Sequence, residues 1–181
     1  MSTLLMNYKV KTVMGIDPGF ARTGWAVLKG TPQKIQEIYY GCLETPAKES
    51  FEQRLVDIDK QFLTLIKKFR PQEVAIEQIY FYKNVKTALK VGHVRGILLL
   101  EAMKNKMPCL ELTPLQVKLA VTGYGRAEKS QIQKMVKTIL GLKEIPPSDD
   151  AADALAIAIC CMSIKGIDHG ASPGPARVAR N

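Results

Sequence analysis

The stretch from residue 13 to residue 27 constrains the fold most, because it carries an acidic residue out of an apolar strand and into a turn. Residues 13–16 have strand character, Asp17 follows them, and Pro18-Gly19 and Thr23-Gly24 indicate a tight turn before strand character resumes. An Asp before Pro-Gly can simply start the turn. A buried, unpaired carboxylate is unfavourable, so Asp17 can also hold a cation or a hydrogen-bond network.

The rest of the chain alternates between strand and helix patterns. Residues 11–17 and 23–29 predict a hairpin, and from Phe51 to Phe69 apolar residues recur at helical spacing. The other predicted elements are strands at 34–43, 72–79 and 109–112 and helices at 85–104, 114–122, 127–140 and 149–164. This order predicts an α/β fold with a mixed five-stranded sheet, in which crossover helices join the later strands.

Length and residue usage predict one domain with two short flanking segments. We expect an N-terminal extension over residues 1–10, a folded domain over 11–165 and a flexible tail over 166–181, which lacks apolar periodicity. Four cysteines without a CxxC pair and two histidines argue against a zinc site or a disulfide framework. Reduced thiols and the lack of a signal peptide or a membrane-length apolar run predict a cytoplasmic protein.

Positive charge is concentrated in one third of the chain. The net charge is +9, from 26 Lys and Arg against 17 Asp and Glu. Residues 80–140 hold 11 basic and 3 acidic residues, a net of +8, which leaves only +1 for the remainder. Such a distribution predicts a basic face for a polyanion, although a solvated Lys-rich helical surface has the same composition.

Three further acids have surroundings that resemble those of Asp17. Glu77 follows an apolar strand, at the end where open α/β sheets bind ligands. Asp150 and Asp153 lie three residues apart on one face of the last helix, where acids also suit the helix dipole. Dipole stabilisation alone can explain Asp149, whereas Asp153 lies within an Ala- and Ile-rich sequence typical of a buried helix.

A convergence of these four acids predicts a metal site. Four carboxylates in one pocket repel one another and take up protons unless cations are present. Oxygen ligands suit Mg²⁺ or Mn²⁺, and two such ions about 3.5–4 Å apart can support phosphodiester cleavage. An acidic metal pocket in a basic domain therefore predicts a nuclease.

Five motifs in order carry a family resemblance. The motifs are Gly-Ile-Asp-Pro-Gly with Arg-Thr-Gly-Trp-Ala-Val (15–27), Ala-Ile-Glu-Gln-Ile-Tyr with Lys-Asn (75–84), Ala-Leu-Lys-Val-Gly-His-Val-Arg-Gly (88–96), residues 116–131, and Asp-Ala-Ala-Asp-Ala-Leu-Ala-Ile-Ala-Ile (150–159). Together they resemble the RuvC family of bacterial Holliday junction resolvases. The first motif alone is weak, because actin-like ATPases also begin with a strand-borne Asp and Gly.

The resemblance implies a ribonuclease H-like fold and a structure-selective endonuclease. Such an enzyme nicks opposed strands of a four-way junction symmetrically, in homologous recombination and DNA repair. The implied catalytic and metal-binding residues are Asp17, Glu77, Asp150 and Asp153. The implied cofactor is Mg²⁺, two ions per site, with Mn²⁺ able to substitute. Asp150 is chosen over Asp149 because only Asp150 gives the family's Asp-Ala-Ala-Asp spacing.

The expected DNA contacts combine aromatic and basic side chains. Aromatic residues interleaved with Lys and Asn suit unstacked bases, although Tyr80 and its neighbours can instead be core residues. Tyr80 stands where the family often has Phe, and Lys118 and Lys129 match family lysines that approach the scissile DNA. The full predicted DNA-binding set is Tyr80, Phe81, Lys83, Asn84, Lys86, Lys118, Arg126 and Lys129.

Partners follow from the symmetry of the substrate. A four-way junction has near two-fold symmetry, so a homodimer matches it, and helix 85–104 has apolar residues on more than one side. Burial of this helix within the monomer is the alternative. The resemblance also implies cooperation with a branch-migration helicase complex. Two rival functions remain, a nuclease of the same fold acting on RNA or RNA–DNA hybrid and a non-catalytic junction-binding protein.

Overall fold

Helices cover both faces of a mixed sheet. The computed structural model describes residues 9–78 and 85–164. Within these ranges the strands are β1 (Lys11–Asp17), β2 (Arg22–Thr31), β3 (Lys34–Glu44), β4 (Glu73–Glu77) and β5 (Cys109–Leu112). The helices are α1 (Phe51–Phe69), α2 (Val85–Lys104), α3 (Pro114–Thr122), α4 (Lys129–Leu140) and α5 (Asp149–Ser163). The predicted α/β fold is confirmed.

The strand order places β1 at the centre of the sheet. The order is β3-β2-β1-β4-β5, with β1 antiparallel to β2 and parallel to β4, and β4 parallel to β5. The carboxyl ends of β1, β4 and β5 therefore lie at one edge. Asp17 ends β1 and Glu77 ends β4 at this edge.

Two apolar layers hold the helices on the sheet. Alternate residues of a strand point to opposite faces, so Met14 and Val13 enter different layers. Met14 packs in the same cluster as Phe62 of α1 and Leu98 of α2. Val13 packs with residues of α3, α4 and α5, including Leu155. Each of these side chains is 0–1% exposed, so both layers have a buried apolar core.

Side-chain caps explain where the later helices start. Thr113 caps α3, since its hydroxyl accepts from the Gln116 N–H while the Gln116 side chain accepts from the Thr113 N–H. Helix α4 starts at Lys129, two residues later than predicted. The Gln131 side chain accepts from the Glu128 N–H at 2.9 Å, which fixes the start of the helix there.

Some predictions concern residues outside the described ranges. Residues 1–8 and 165–181, with most of the predicted extension and all of the predicted tail, are among them. Among the helices of the described residues, none is long and apolar enough to cross a bilayer.

Candidate active site

Two strands bring Asp17 and Glu77 together. Ile16 and Ile76 are partners in the parallel pairing of β1 and β4, and each acid is the next residue along its strand. Both carboxylates therefore leave the sheet at the same level. The pattern of four buried residues before Glu77 in β4 fits the expected strand inside the sheet, with the acid at its end.

Glycines on the hairpin let α5 approach the same edge. Gly24 pairs with Asp17 across the hairpin, and a Cβ added to Gly24 would lie 2.0 Å from the carbonyl oxygen of Asp150. One turn further along, a Cβ on Gly15 would lie 2.4 Å from the carbonyl oxygen of Ala154. There is no room for a side chain at Gly24 or Gly15, so the backbone of α5 packs directly against β1 and β2. Its first turn therefore reaches the end of β1.

Asp17 lies at the electrostatic centre of the cluster. Burial, reinforced by the charges of Asp153, Glu77 and Asp150, raises the pKa of Asp17 to about 7, while Lys129 opposes the shift. Each of the other three predicted acids therefore lies within electrostatic reach of Asp17. The convergence expected from the sequence is present in the fold.

The neighbouring acids have the same kind of environment. Burial raises the pKa of Glu77, Asp153 adds to the shift, and Lys118 opposes it. Burial also raises the pKa of Asp153 in spite of the hydrogen bond from Lys129. Carboxyl groups with raised pKa values share one partly desolvated space, as catalytic clusters often do.

Two cationic side chains hold the acids of α5. The Lys129 ammonium lies 3.1 Å from Asp153 and 3.3 Å from Asp149, and the Arg22 guanidinium lies 3.1 Å from Asp150. Asp149 also accepts from Gln133 at 2.8 Å, and its pKa is lowered by the hydrogen bonds from Lys129 and Gln133. Asp149 thus points to Lys129 and α4, whereas Asp150 belongs to the group around Asp17.

The acids lie near one another, but the described side chains do not enclose an ion. Within the described residues, no three His, Cys, Asp or Glu side chains are arranged to hold a metal as they stand. The electrostatic coupling of Asp17 to three other carboxylates still places them around one space. Bare carboxylates repel one another, and Arg22 and Lys129 each bind one of the four, so a closer arrangement is expected only when a cation is present.

A cleft between the carboxyl end of β4 and helices α3, α4 and α5 adjoins these acids. It combines acidic, basic and apolar side chains from β4, α3, α4 and α5. Its lining comprises Glu77, Pro114, Val117, Lys118, Lys129, Ile132, Asp153 and Ala156. Two predicted metal ligands and two predicted DNA-contacting lysines therefore line one cavity.

The structure describes only part of the predicted DNA-binding set. Lys118 and Lys129 lie in the cleft, and Arg126 is exposed on the connection between α3 and α4. The remaining predicted contacts lie outside the described residues or, for the Lys86 side chain, outside the described side chains. These are Tyr80, Phe81, Lys83, Asn84 and Lys86.

Arg22 is the residue at this site that the sequence analysis missed. It contacts Asp150, 128 positions later in the chain, so no local pattern reveals the pair. Arg22 is the first residue of β2 and lies within the first family motif, and this position is the signal that could have indicated a role.

The comparison with protein families decides the assignment. The family described as crossover junction endodeoxyribonuclease RuvC matches residues 13–161. The chain belongs to the RuvC family. RuvC proteins from Ruminiclostridium cellulolyticum and Desulforamulus reducens are 52% and 50% identical to it over 148 residues. The matches cover 82% of this chain and 89% and 91% of those relatives.

Solved structures agree with this family membership. Thermus thermophilus RuvC in complex with a Holliday junction substrate matches with a TM-score of 0.78 and 36% identity, over 83% of this chain and 92% of that one. The yeast mitochondrial Holliday junction resolvase Ydc2 matches with a TM-score of 0.59 and 20% identity, over 86% and 79% of the two chains. At that identity Ydc2 supports the fold alone. The ribonuclease H-like fold of the RuvC family is thus the fold of this chain.

Proposed function

We propose that this chain is a divalent-metal-dependent endodeoxyribonuclease that resolves four-way DNA junctions by paired, symmetric nicks. The observation that carries the proposal is the cluster of Asp17, Glu77, Asp150 and Asp153 beside a cleft lined by two lysines, in a member of the RuvC family. Homologous recombination and DNA repair are the processes that need such an activity.

The residues present fit a divalent ion. The donor set is made of carboxylate oxygens, which hard ions such as Mg²⁺ and Mn²⁺ prefer. The pKa of Asp17, raised to about 7 by burial and by its acidic neighbours, reports a repulsion that a cation would relieve. The four acids are therefore the proposed ligands, and two Mg²⁺ ions per site are the proposed cofactor.

The chain's own residues account for substrate placement. Bound divalent ions supply an activated water and stabilisation of the departing oxygen in phosphodiester hydrolysis. Lys118 lies with Glu77 in the cleft, so its ammonium can hold the phosphate close to the acids. Lys129, now bound to Asp149 and Asp153, can turn to a DNA phosphate once those acids have other partners.

An exposed apolar stripe on α2 supports a homodimer. Leu89, Gly92, Gly96, Leu100 and Met103 follow one another at intervals of three or four residues, so they share one helix face. The three larger side chains are 54–64% exposed, and a Cβ added to either glycine would meet nothing within 4 Å. The stripe leaves room for a second helix to approach closely. It also shows that α2 is not buried on all sides within the monomer.

A homodimer places two sites on a substrate of matching symmetry. Cooperation with a branch-migration helicase complex is part of the same proposal and rests on family membership alone. The aromatic and basic residues at 80–84 remain the proposed contacts to opened bases at the junction centre.

The decisive experiment separates cutting from binding. Asp17→Asn should abolish nicking of a synthetic four-way junction in Mg²⁺ while junction binding persists or tightens, because the variant removes one charge from the cluster and none from the basic surface. Cleavage and gel-shift assays on the same substrate measure the two effects. Near-normal nicking by the variant would contradict the assignment.

Parallel substrates test the rival functions. Wild-type protein should nick the junction in preference to linear duplex and RNA–DNA hybrid, in an Mg²⁺-dependent reaction. Preference for the hybrid would indicate a nuclease for RNA, and binding without metal-dependent nicks would indicate a structural junction-binding protein.

A further inference from the structure

Arg22 connects one acid of the cluster to the helix cap behind it. Its Nε lies 3.1 Å from Oδ2 of Asp150, and its Nη2 donates to the Ser148 hydroxyl at 3.0 Å. Ser148 is the N-cap of α5, where its hydroxyl accepts from the Ala151 N–H. The same hydroxyl donates to Oδ2 of Asp150 at 3.4 Å. One guanidinium therefore contacts both the acid and the residue that fixes the start of its helix.

The contacts to Asp150 are one-sided. Arg22 and Ser148 both use Oδ2, and no contact of Oδ1 is found among the described residues. A carboxylate that is anchored through one oxygen presents the other oxygen in a defined direction. Outer hydrogen bonds of this kind orient ligating carboxylates in metal sites generally.

The strand side of the network holds Arg22 itself in place. Its Nη2 also lies 3.6 Å from the Cys42 sulfur, and its Nε lies 3.6 Å from Glu44, both at the end of β3. The Cys42 sulfur lies 3.0 Å from the Ser148 hydroxyl, which closes the network between β3 and α5. A planar guanidinium keeps such a fixed set of contacts better than an ammonium can.

Lys129 differs from Arg22 in this respect. Its ammonium contacts two acids, Asp149 and Asp153, and both of those contacts are carboxylates on one helix. Nothing from the sheet side is found to hold it among the described contacts. Lys129 is therefore free to exchange partners, whereas Arg22 is held from two elements.

We propose that Arg22 is a positioning residue that fixes Asp150 so that its second oxygen is presented to a divalent ion. The inference rests on the proposed function, because it takes the acid cluster to be a metal site. Arg22 itself touches neither metal nor DNA in this role. Loss of such an outer-shell partner typically lowers metal affinity about 10–100-fold.

Metal affinity without DNA tests the role directly. Mn²⁺ binding to the full chain is measured by calorimetry and by the loss of the free-ion electron paramagnetic resonance signal, for wild type, Arg22→Ala and Arg22→Lys. Lys29→Ala is a matched control: Lys29 lies on the same strand, pairs with Glu37 on β3 and has a side chain 44% exposed, against 49% for Arg22. Thermal unfolding in chelator shows whether each variant is folded.

The expected result is a dissociation constant at least about tenfold higher for Arg22→Ala, an intermediate value for Arg22→Lys and a change of less than about twofold for Lys29→Ala. Unchanged or tighter Mn²⁺ binding by a folded Arg22→Ala overturns the inference, since it makes Arg22 a structural partner or a competing charge. In that case the proposed function still stands if Asp17→Asn loses Mn²⁺. Wild type that binds no Mn²⁺ overturns the metal site and this inference together.

Discussion

Asp17 is buried and has three acidic neighbours, so its ionised form is the most strongly disfavoured in the cluster. Arg22 and Lys129 each contact an acid of α5, while Asp17 gains only the weaker influence of Lys129. The site therefore holds excess negative charge when no cation is bound. Catalytic residues often reduce the stability of the fold in this way.

Replacement of Asp17 should stabilise the metal-free protein. Its pKa is about 7 in the folded state against 3.8 as the reference, so the stability that this group contributes is complete below pH 3.8 and is lost as the pH rises through 7. Asp17→Asn does not titrate and escapes this loss. In chelator, its gain over wild type should grow from pH 4 to pH 8, to about 2–4 kcal/mol.

Denaturant unfolding of both proteins in chelator at several pH values measures this gain, and Mg²⁺ should reduce it by stabilising wild type alone. A difference in unfolding free energy that does not vary with pH would show that ionisation of Asp17 does not destabilise the fold.

At the scale of elements, the close contact between α5 and the hairpin positions half of the acid cluster. Gly24 touches the backbone of Asp150, and Gly15 touches the backbone of Ala154. Because β1 and β2 are bonded to neighbouring strands, they cannot easily yield to a side chain at either position. A helix that is displaced here carries Asp150 and Asp153 away from Asp17.

Gly24→Ala should therefore weaken both the fold and the site. The new Cβ would lie 2.0 Å from the Asp150 carbonyl oxygen, which forces α5 outward at a loss of about 1–3 kcal/mol of stability, as overpacked cores show. Mn²⁺ affinity should fall with it. Gly125→Ala is the control, because its Cβ would approach only side-chain atoms, closest to the end of the flexible Leu115 side chain at 2.5 Å, and no backbone. Equal unfolding midpoints for the two variants would contradict the packing argument.

Local patterns predicted the elements well and the ion pairs poorly. The apolar spacing from Phe51 to Phe69 gave the bounds of α1, and the strand-borne acids gave the sheet edge of the site. The helical pattern extends back to Ala127, but α4 starts later because the Gln131 side chain accepts from the Glu128 N–H and caps the helix there. The Arg22–Asp150 and Lys129–Asp153 ion pairs depend on how α5 packs against the sheet and α4. Local sequence spacing does not predict this packing.

At the scale of the whole molecule, the two helical layers have different surfaces. The layer of α1 and α2 carries the exposed apolar stripe that includes Leu100, whereas the layer of α3, α4 and α5 borders the acidic site. Pairing through α2 would leave both clefts of a homodimer open to DNA.

Leu100→Glu should convert the proposed dimer into a folded monomer, because it places a charge within the exposed apolar stripe of α2. Sedimentation or light scattering at micromolar concentration measures the mass, and circular dichroism confirms the fold. Ile139→Glu is the control, since Ile139 is also exposed, at 43%, but lies on α4 in the other layer. A wild-type monomer at this concentration, or equal loss of mass in both variants, would contradict the assignment of the interface.

The central position of β1 has a consequence for how the enzyme can adapt to a branched substrate. The amide and carbonyl groups of β1 are bonded to β2 on one side and to β4 on the other, so its amide hydrogens should exchange with deuterium only when the entire domain unfolds. The acid at the end of β1 is therefore attached to a segment that we expect to open only with global unfolding. If Asp17 is the metal ligand proposed above, the scissile phosphate meets a fixed point of the fold.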